Sequence, residues 1–366
     1  MNTLLRPLSS LRLTLVGMIL LAIGAALSYN NPASTPVWVL VVPMALLALN
    51  LLCAIISNPR IHRRAGLLVF HIGLLGVVIL SAVGFLTRYE AHVEMLQGTA
   101  FSADDLLDKH AGPLHSSHLD KVHFIQGPYT VDYAAGMMRG PTRSHIQVPD
   151  GRGGWEWRVI GDDKPLVVDG YRFYTSFNKG YAPILTWIPD NGRPETGSVN
   201  MPAYPLFEFK QDNSWTPPGG SEIKFWLRLD TGMKEDAAWV LDGSKTQGIL
   251  VVNTADGERV ELKPGDTAQV PGGKLRYEHL TTWMGYKIFY FPTLQLMFVT
   301  AIIGVLGLFT HFWQKFGNWS AVTQTPAPDV AQPIAPGEAL IEPVRSAVPQ
   351  GEPRNVGKRF ARGNMV

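Results

Sequence analysis

Ten histidines are spread along the chain. Two of them stand where an ionisable ring is costly. His71 lies in Phe70-His71-Ile72-Gly73-Leu74-Leu75-Gly76, inside a run from Ala65 to Thr87 with no Asp, Glu, Lys or Arg. His311 lies in another such run, from Ile288 to Gln314. An imidazole in hydrocarbon must be paired, hydrogen-bonded or bound to a metal. Neutral imidazole is also a common metal ligand. His71 is therefore a candidate ligand; the competing reading is a packed histidine bonded to a backbone carbonyl. His311 is a second candidate, close enough to its expected helix end to reach the interface instead, where Trp313 and Trp319 would form an aromatic belt.

A second constellation is polar. His110, His115, His118 and His123 follow an H-x4-H-x2-H-x4-H spacing, with His92 and His145 near them in sequence. Such a set could gather round a metal or an exported haem. It matches no fixed metal motif, and a solvated loop is the plainer reading. The single cysteine, Cys53, lies in an apolar run and reads as a packing residue, which rules out thiol–disulfide chemistry by a cysteine pair. No hydrolase elbow, phosphate loop or dinucleotide fingerprint is present. A net charge of +2 gives no case for nucleic-acid binding.

These residues need a scaffold, and hydropathy supplies it. About 20 apolar residues span the hydrocarbon core. Residues 13–57 are uncharged and long enough for two spans, divided by Ser28-Tyr29-Asn30-Asn31-Pro32. Helices are expected at about 11–29, 37–57, 66–86 and 292–313. The chain then divides into a membrane region over 1–87, a large block over 88–287, a fourth membrane helix within 288–314, and a tail over 315–366. Arg6, Arg12, Arg60, Arg63, Arg64 and Lys315 fall on one side of the helices, so that side is expected to be cytoplasmic. The block over 88–287 would then be exported, periplasmic in a Gram-negative cell. It carries 21 basic against 26 acidic residues, a net of −5.

Within that block, Trp155-Glu156-Trp157-Arg158-Val159-Ile160 and Glu222-Ile223-Lys224-Phe225-Trp226-Leu227 alternate large apolar with polar residues. Val122-His123-Phe124-Ile125 and Lys274-Leu275-Arg276-Tyr277-Glu278 do the same, and Gly turns punctuate them. Period-two alternation predicts antiparallel strands in a sandwich or open barrel. A short helix over Ala103–Lys109, capped by Ser102, is also expected. The tail, rich in Pro and Ala, reads as disordered. Its basic end, 354–362, reads as solvated or as weakly drawn to anionic membrane lipid.

Leu8-Ser9-Ser10-Leu11-Arg12-Leu13-Thr14, Leu47-Ala48-Leu49-Asn50-Leu51-Leu52-Cys53 and the Phe70–Leu75 segment resemble stretches of the ResB/CcsB family of cytochrome c biogenesis proteins. Pro165-Leu166-Val167-Val168-Asp169-Gly170-Tyr171-Arg172-Phe173-Tyr174 is similar to that family's Gly-Tyr-Arg-Phe-Tyr stretch. The order of three helices, a large exported block and a final helix also matches. The resemblance implies a non-catalytic subunit that binds haem b and helps deliver it across the inner membrane. It implies a ResC/CcsA-type membrane partner, which attaches haem to apocytochrome c and carries the catalysis. It implies that His71 is a transmembrane haem ligand. His71 and His311 are expected at similar depths, facing one haem or one each with a partner. Arg172 would be free to pair a haem propionate. Two other functions fit the same residues: an electron-transfer subunit with a permanent haem b, and a haem-free scaffold.

Overall fold

A computed structural model describes residues 7–32, 34–218, 221–254 and 257–322. The expected disordered tail beyond 322, its basic end, and Arg6 lie outside the described residues. Four long apolar helices flank a β-rich region: α1 (Leu11–Asn30), α2 (Trp38–Ser57), α3 (Ala65–Thr87) and α4 (Leu294–Val322). Each is long and apolar enough to cross a membrane.

The helix starts follow local chemistry. Ser10 caps α1, its hydroxyl accepting from the Leu13 N–H at 3.3 Å. Asn50, buried in α2, then ties α1 to α2. Its amide donates to the carbonyls of Leu8 (2.6 Å) and Ser10 (3.2 Å), and its Oδ1 accepts from the Thr14 hydroxyl at 2.7 Å. The two N-terminal segments singled out in the sequence therefore meet at one polar knot inside an apolar hairpin. Asn50→Ala is expected to loosen this hairpin by roughly 1–2 kcal/mol, the scale of an interhelical hydrogen bond between membrane helices. A chemical-denaturation midpoint in detergent measures it.

Helices α3 and α4 run antiparallel with almost no side chain between them. A Cβ on Gly73 would lie 2.6 Å from the Gly304 Cα and 2.8 Å from the Thr300 carbonyl oxygen. One on Gly307 would lie 2.5 Å from the Phe70 nitrogen, and one on Gly66 2.7 Å from the His311 nitrogen. Farther along, the Ser81 hydroxyl reaches Met297 Sδ at 3.9 Å. The α4 residues in this seam, 297, 300, 304, 307 and 311, alternate steps of three and four, the spacing of one helix face. Small residues let membrane helices approach closely where no hydrophobic force between them exists.

Among the described residues the β-rich region holds three antiparallel sheets. Its spine is the pair β7 (Tyr171–Pro189) and β15 (Gly273–Tyr290), in register from Tyr171↔Tyr290 to Pro189↔Gly273. β1 (Tyr89–Leu96) and β2 (Leu107–Ala111) extend this sheet on one side. β3 (Ile125–Ala134), β4 (Met138–Pro149) and β5 (Trp155–Gly161) form most of a second sheet. The third contains β10 (Ile223–Asp230) and β12 (Gln247–Asn253). Their inward residues, among them Tyr129, Ile146, Phe173, Leu250 and Tyr286, share one core with Phe124 of the connection before β3. The Tyr286 phenol is closed off from water yet satisfied: it donates to Gln126 Oε1 at 2.6 Å and bonds the Ser144 hydroxyl at 2.7 Å.

The helix expected over Ala103–Lys109 is shorter than its sequence cues. A single 3-10 turn, Ala103–Asp105, follows the Ser102 cap, and Leu107–Ala111 is a strand. Pairing with β1 satisfies more backbone groups there than a second helical turn would.

Candidate functional site

His71 is half-buried in α3. Its Nδ1 lies 2.7 Å from the Leu67 carbonyl oxygen, one turn back, and the ring meets Phe70 edge-on at 5.1 Å. A carbonyl can only accept, so Nδ1 carries the proton and Nε2 is the bare nitrogen. Nε2 has no hydrogen-bond partner among the described residues. The backbone bond of the packed-histidine reading is thus present. A bond of the same kind holds metal-ligating imidazoles in one tautomer. The ring is satisfied on one side and available on the other.

The face His71 presents is not the glycine seam. At 3.6 residues per turn it stands about 140° round α3 from Gly66 and about 160° from Gly73. Helix α4 fills the space beside those glycines. His311 lies on the seam, its backbone against Gly66. Because the helices are antiparallel, His71 sits five residues deeper than the Gly66 level, about 7–8 Å along the axis. That register sets the His71 backbone five residues from the His311 level, where counting from the helix ends suggests similar depths.

The second constellation does not converge. Among the described residues no group of three or more His, Cys, Asp or Glu forms a metal-holding cluster. His115 is fully engaged: Nδ1–H donates to the Thr87 carbonyl at 3.0 Å, and Nε2 accepts from the Tyr171 hydroxyl at 3.1 Å. Its ring stacks on Tyr89 at 4.8 Å and meets Tyr171 and Tyr290 edge-on. Burial pushes the Tyr89 and Tyr171 phenols up from their ordinary value. With the Leu114 N–H bonded to the Leu86 carbonyl at 2.9 Å, this loop caps the last turn of α3 and seats the helix on the β-rich region. His118 bonds the Tyr171 oxygen through its backbone N–H, and its Nε2 lies 3.4 Å from the Ser116 hydroxyl. His110 and His123 are exposed on separate stretches. His92 Nδ1 lies 3.7 Å from Asp108 Oδ2, and His145 sits in β4. In the aromatic stretch, Tyr171 and Phe173 belong to the core, with Arg172 between them only partly exposed.

One buried group carried no sequence signal. Lys179, in β7, is 1% exposed and has neither hydrogen-bond nor ion-pair partner among the described residues. Burial, with the Arg139 charge in support, lowers its pKa from 10.5 to about 8. Between those values the unfolded chain binds the proton more strongly than the folded one. Stability therefore rises with pH through that window. The β-rich region is expected to gain up to about 3 kcal/mol across it. Above the ordinary tyrosine value of 10 the gain reverses, because burial raises the pKa of Tyr129 and Tyr286. Thermal unfolding from pH 7 to 10 checks this, and Lys179→Met should flatten the profile.

Four helices long and apolar enough to cross a membrane flank a β-rich region, which makes this a multi-pass membrane protein. Residues 60–325 match the ResB-like family, and the chain belongs to it. The match takes in α3, the β-rich region and α4, while α1 and α2 precede it. Membership implies a role in cytochrome c biogenesis. Comparison with curated proteins gives no match.

Proposed function

We propose that this chain is the haem-holding, non-catalytic subunit of a cytochrome c maturation complex, with His71 as an axial ligand. The observation that carries the reading is the bare Nε2 of a ring fixed by the Leu67 carbonyl inside an apolar helix. Haem bound there supplies an iron that takes the imidazole and a porphyrin body that favours hydrocarbon over water.

The chain's own residues do the rest. Leu67 fixes the tautomer, Phe70 limits ring rotation, and the glycine seam fixes the rotation of α3 about its axis. His311 packs on the seam at another level, so a haem held by His71 would need any further protein ligand from another chain. A ResC/CcsA-type membrane protein is that partner, and bond formation to apocytochrome c belongs to it. The basic loop Arg60, Arg63 and Arg64 supports a cytoplasmic position for the His71 end of α3 and an outer one for the β-rich region.

The test is spectroscopic. Protein purified with its partner is expected to show a bis-histidine haem b spectrum, and His71→Ala to lose most of it. An unchanged spectrum with intact cytochrome c maturation would sink the assignment.

A further inference from the structure

A crevice of about 490 Å³ opens where α1 and α2 meet the β-rich region, at the opposite end of α3 from His71. Its two sides differ sharply in chemistry. The helix side is mainly apolar, with Leu21 and Ala25 from α1 and Leu40 and Met44 from α2, and Ser28 and Tyr29 line it at the end of α1. The strand side presents Arg88, Glu90 and His110.

Strand geometry explains the polar side. Tyr89, Ala91 and Val93 of β1 turn into the core, so their neighbours Arg88 and Glu90 face the other way. β2 pairs antiparallel with β1 and sets His110 opposite Glu90. Arg88 has no carboxylate within ion-pair distance among the described residues; its guanidinium lies 5.1 Å over the Phe85 ring. His110 is exposed and bonds nothing among the described residues through its ring. An unpaired guanidinium and an unpaired imidazole thus share the mouth of an apolar furrow.

We infer that this crevice is a second haem site, on the β-rich side of the membrane. Haem combines the three features the furrow needs: a broad apolar body for the α1–α2 wall, carboxylates for Arg88, and an iron for the His110 imidazole. A phospholipid would use the wall and Arg88 but has no use for the imidazole. Glu90 adds a negative charge at the mouth, so one propionate pairs with Arg88 and the other faces water. Binding replaces water on the iron by a ring nitrogen, with no change of oxidation state. The inference rests on the haem-handling reading, which it extends from one site to two.

The full-length chain in phosphatidylcholine nanodiscs, titrated with haemin and followed by absorbance, tests it. Wild type is expected to take up two equivalents. His71→Ala and His110→Ala are each expected to take up one, and the double variant none. Arg88→Gln should weaken the site lost in His110→Ala at least tenfold and leave the His71 site unchanged. Unchanged circular dichroism shows that each variant folds. Two equivalents retained by His110→Ala, or a single equivalent in wild type that His71→Ala abolishes, would overturn the second site. So would a co-purifying anionic lipid that Arg88→Gln releases and His110→Ala does not, because that pattern marks a lipid furrow. Loss of one equivalent in His110→Ala with none lost in His71→Ala would retain the crevice and remove the His71 assignment.

Discussion

Gly73→Leu is expected to separate α3 from α4. The Cβ position is already 2.6 Å from two backbone atoms of Gly304, and neither can rotate away. The helices must part by more than an ångström to admit even the first carbon, and the rest of the leucine needs several more. Overpacking alone costs about 1–3 kcal/mol in cores that can adjust. Here the obstacle is main chain, and parting the helices also strips the contacts of Gly66, Gly76, Gly304 and Gly307 along the seam. A loss above about 3 kcal/mol is expected, enough to unpair the helices in detergent. The check is a cysteine cross-link engineered across the seam on a Cys53→Ser background: efficient in the parent, lost in Gly73→Leu. Gly98 is the control. Its backbone is left-handed (φ 91°), but nothing lies within 4 Å of its Cβ position, so Gly98→Ala should disturb only its own turn.

That seam marks the boundary of what the sequence makes legible. The four apolar helices can be read from it because length and the lack of charge are local properties. The strands around Trp155, Ile223 and Leu275 can be read because period two is local as well. The relative level of His71 and His311 is not a local property. Counting inward from expected helix ends puts them at similar depth, whereas the register is set by glycines meeting glycines across two segments more than 200 residues apart. His115 fails to be legible for the same reason. Its spacing from His110 and His118 looks like a ligand set, yet its partners are a carbonyl at the end of α3 and a tyrosine in β7. Lys179 looks like any strand lysine until a packed sheet closes over it. The candidate ligand was legible because a charge-free context makes one polar ring conspicuous. The bond that fixes its tautomer follows from helix geometry, since the ring and the carbonyl at i−4 lie on one face.

His71→Gly carries the second large effect. Removing the ring deletes the ligand and leaves a cavity the size of an imidazole one turn above Leu67. Haem is expected to fall below a tenth of the wild-type content. The fold should survive, because no other residue depends on the Nε2 of His71, and His71 lies away from the α3–α4 seam. Glycine in a helix interior costs about 1 kcal/mol relative to alanine, so His71→Ala run in parallel separates that penalty from loss of the ligand.

The most direct measurement is the haem b absorbance of purified His71→Gly protein with its partner, before and after free imidazole is added. The account predicts a spectrum lost in the variant and restored by imidazole, because the ring's role is to present one nitrogen to iron. A variant that keeps the wild-type spectrum without imidazole would contradict it.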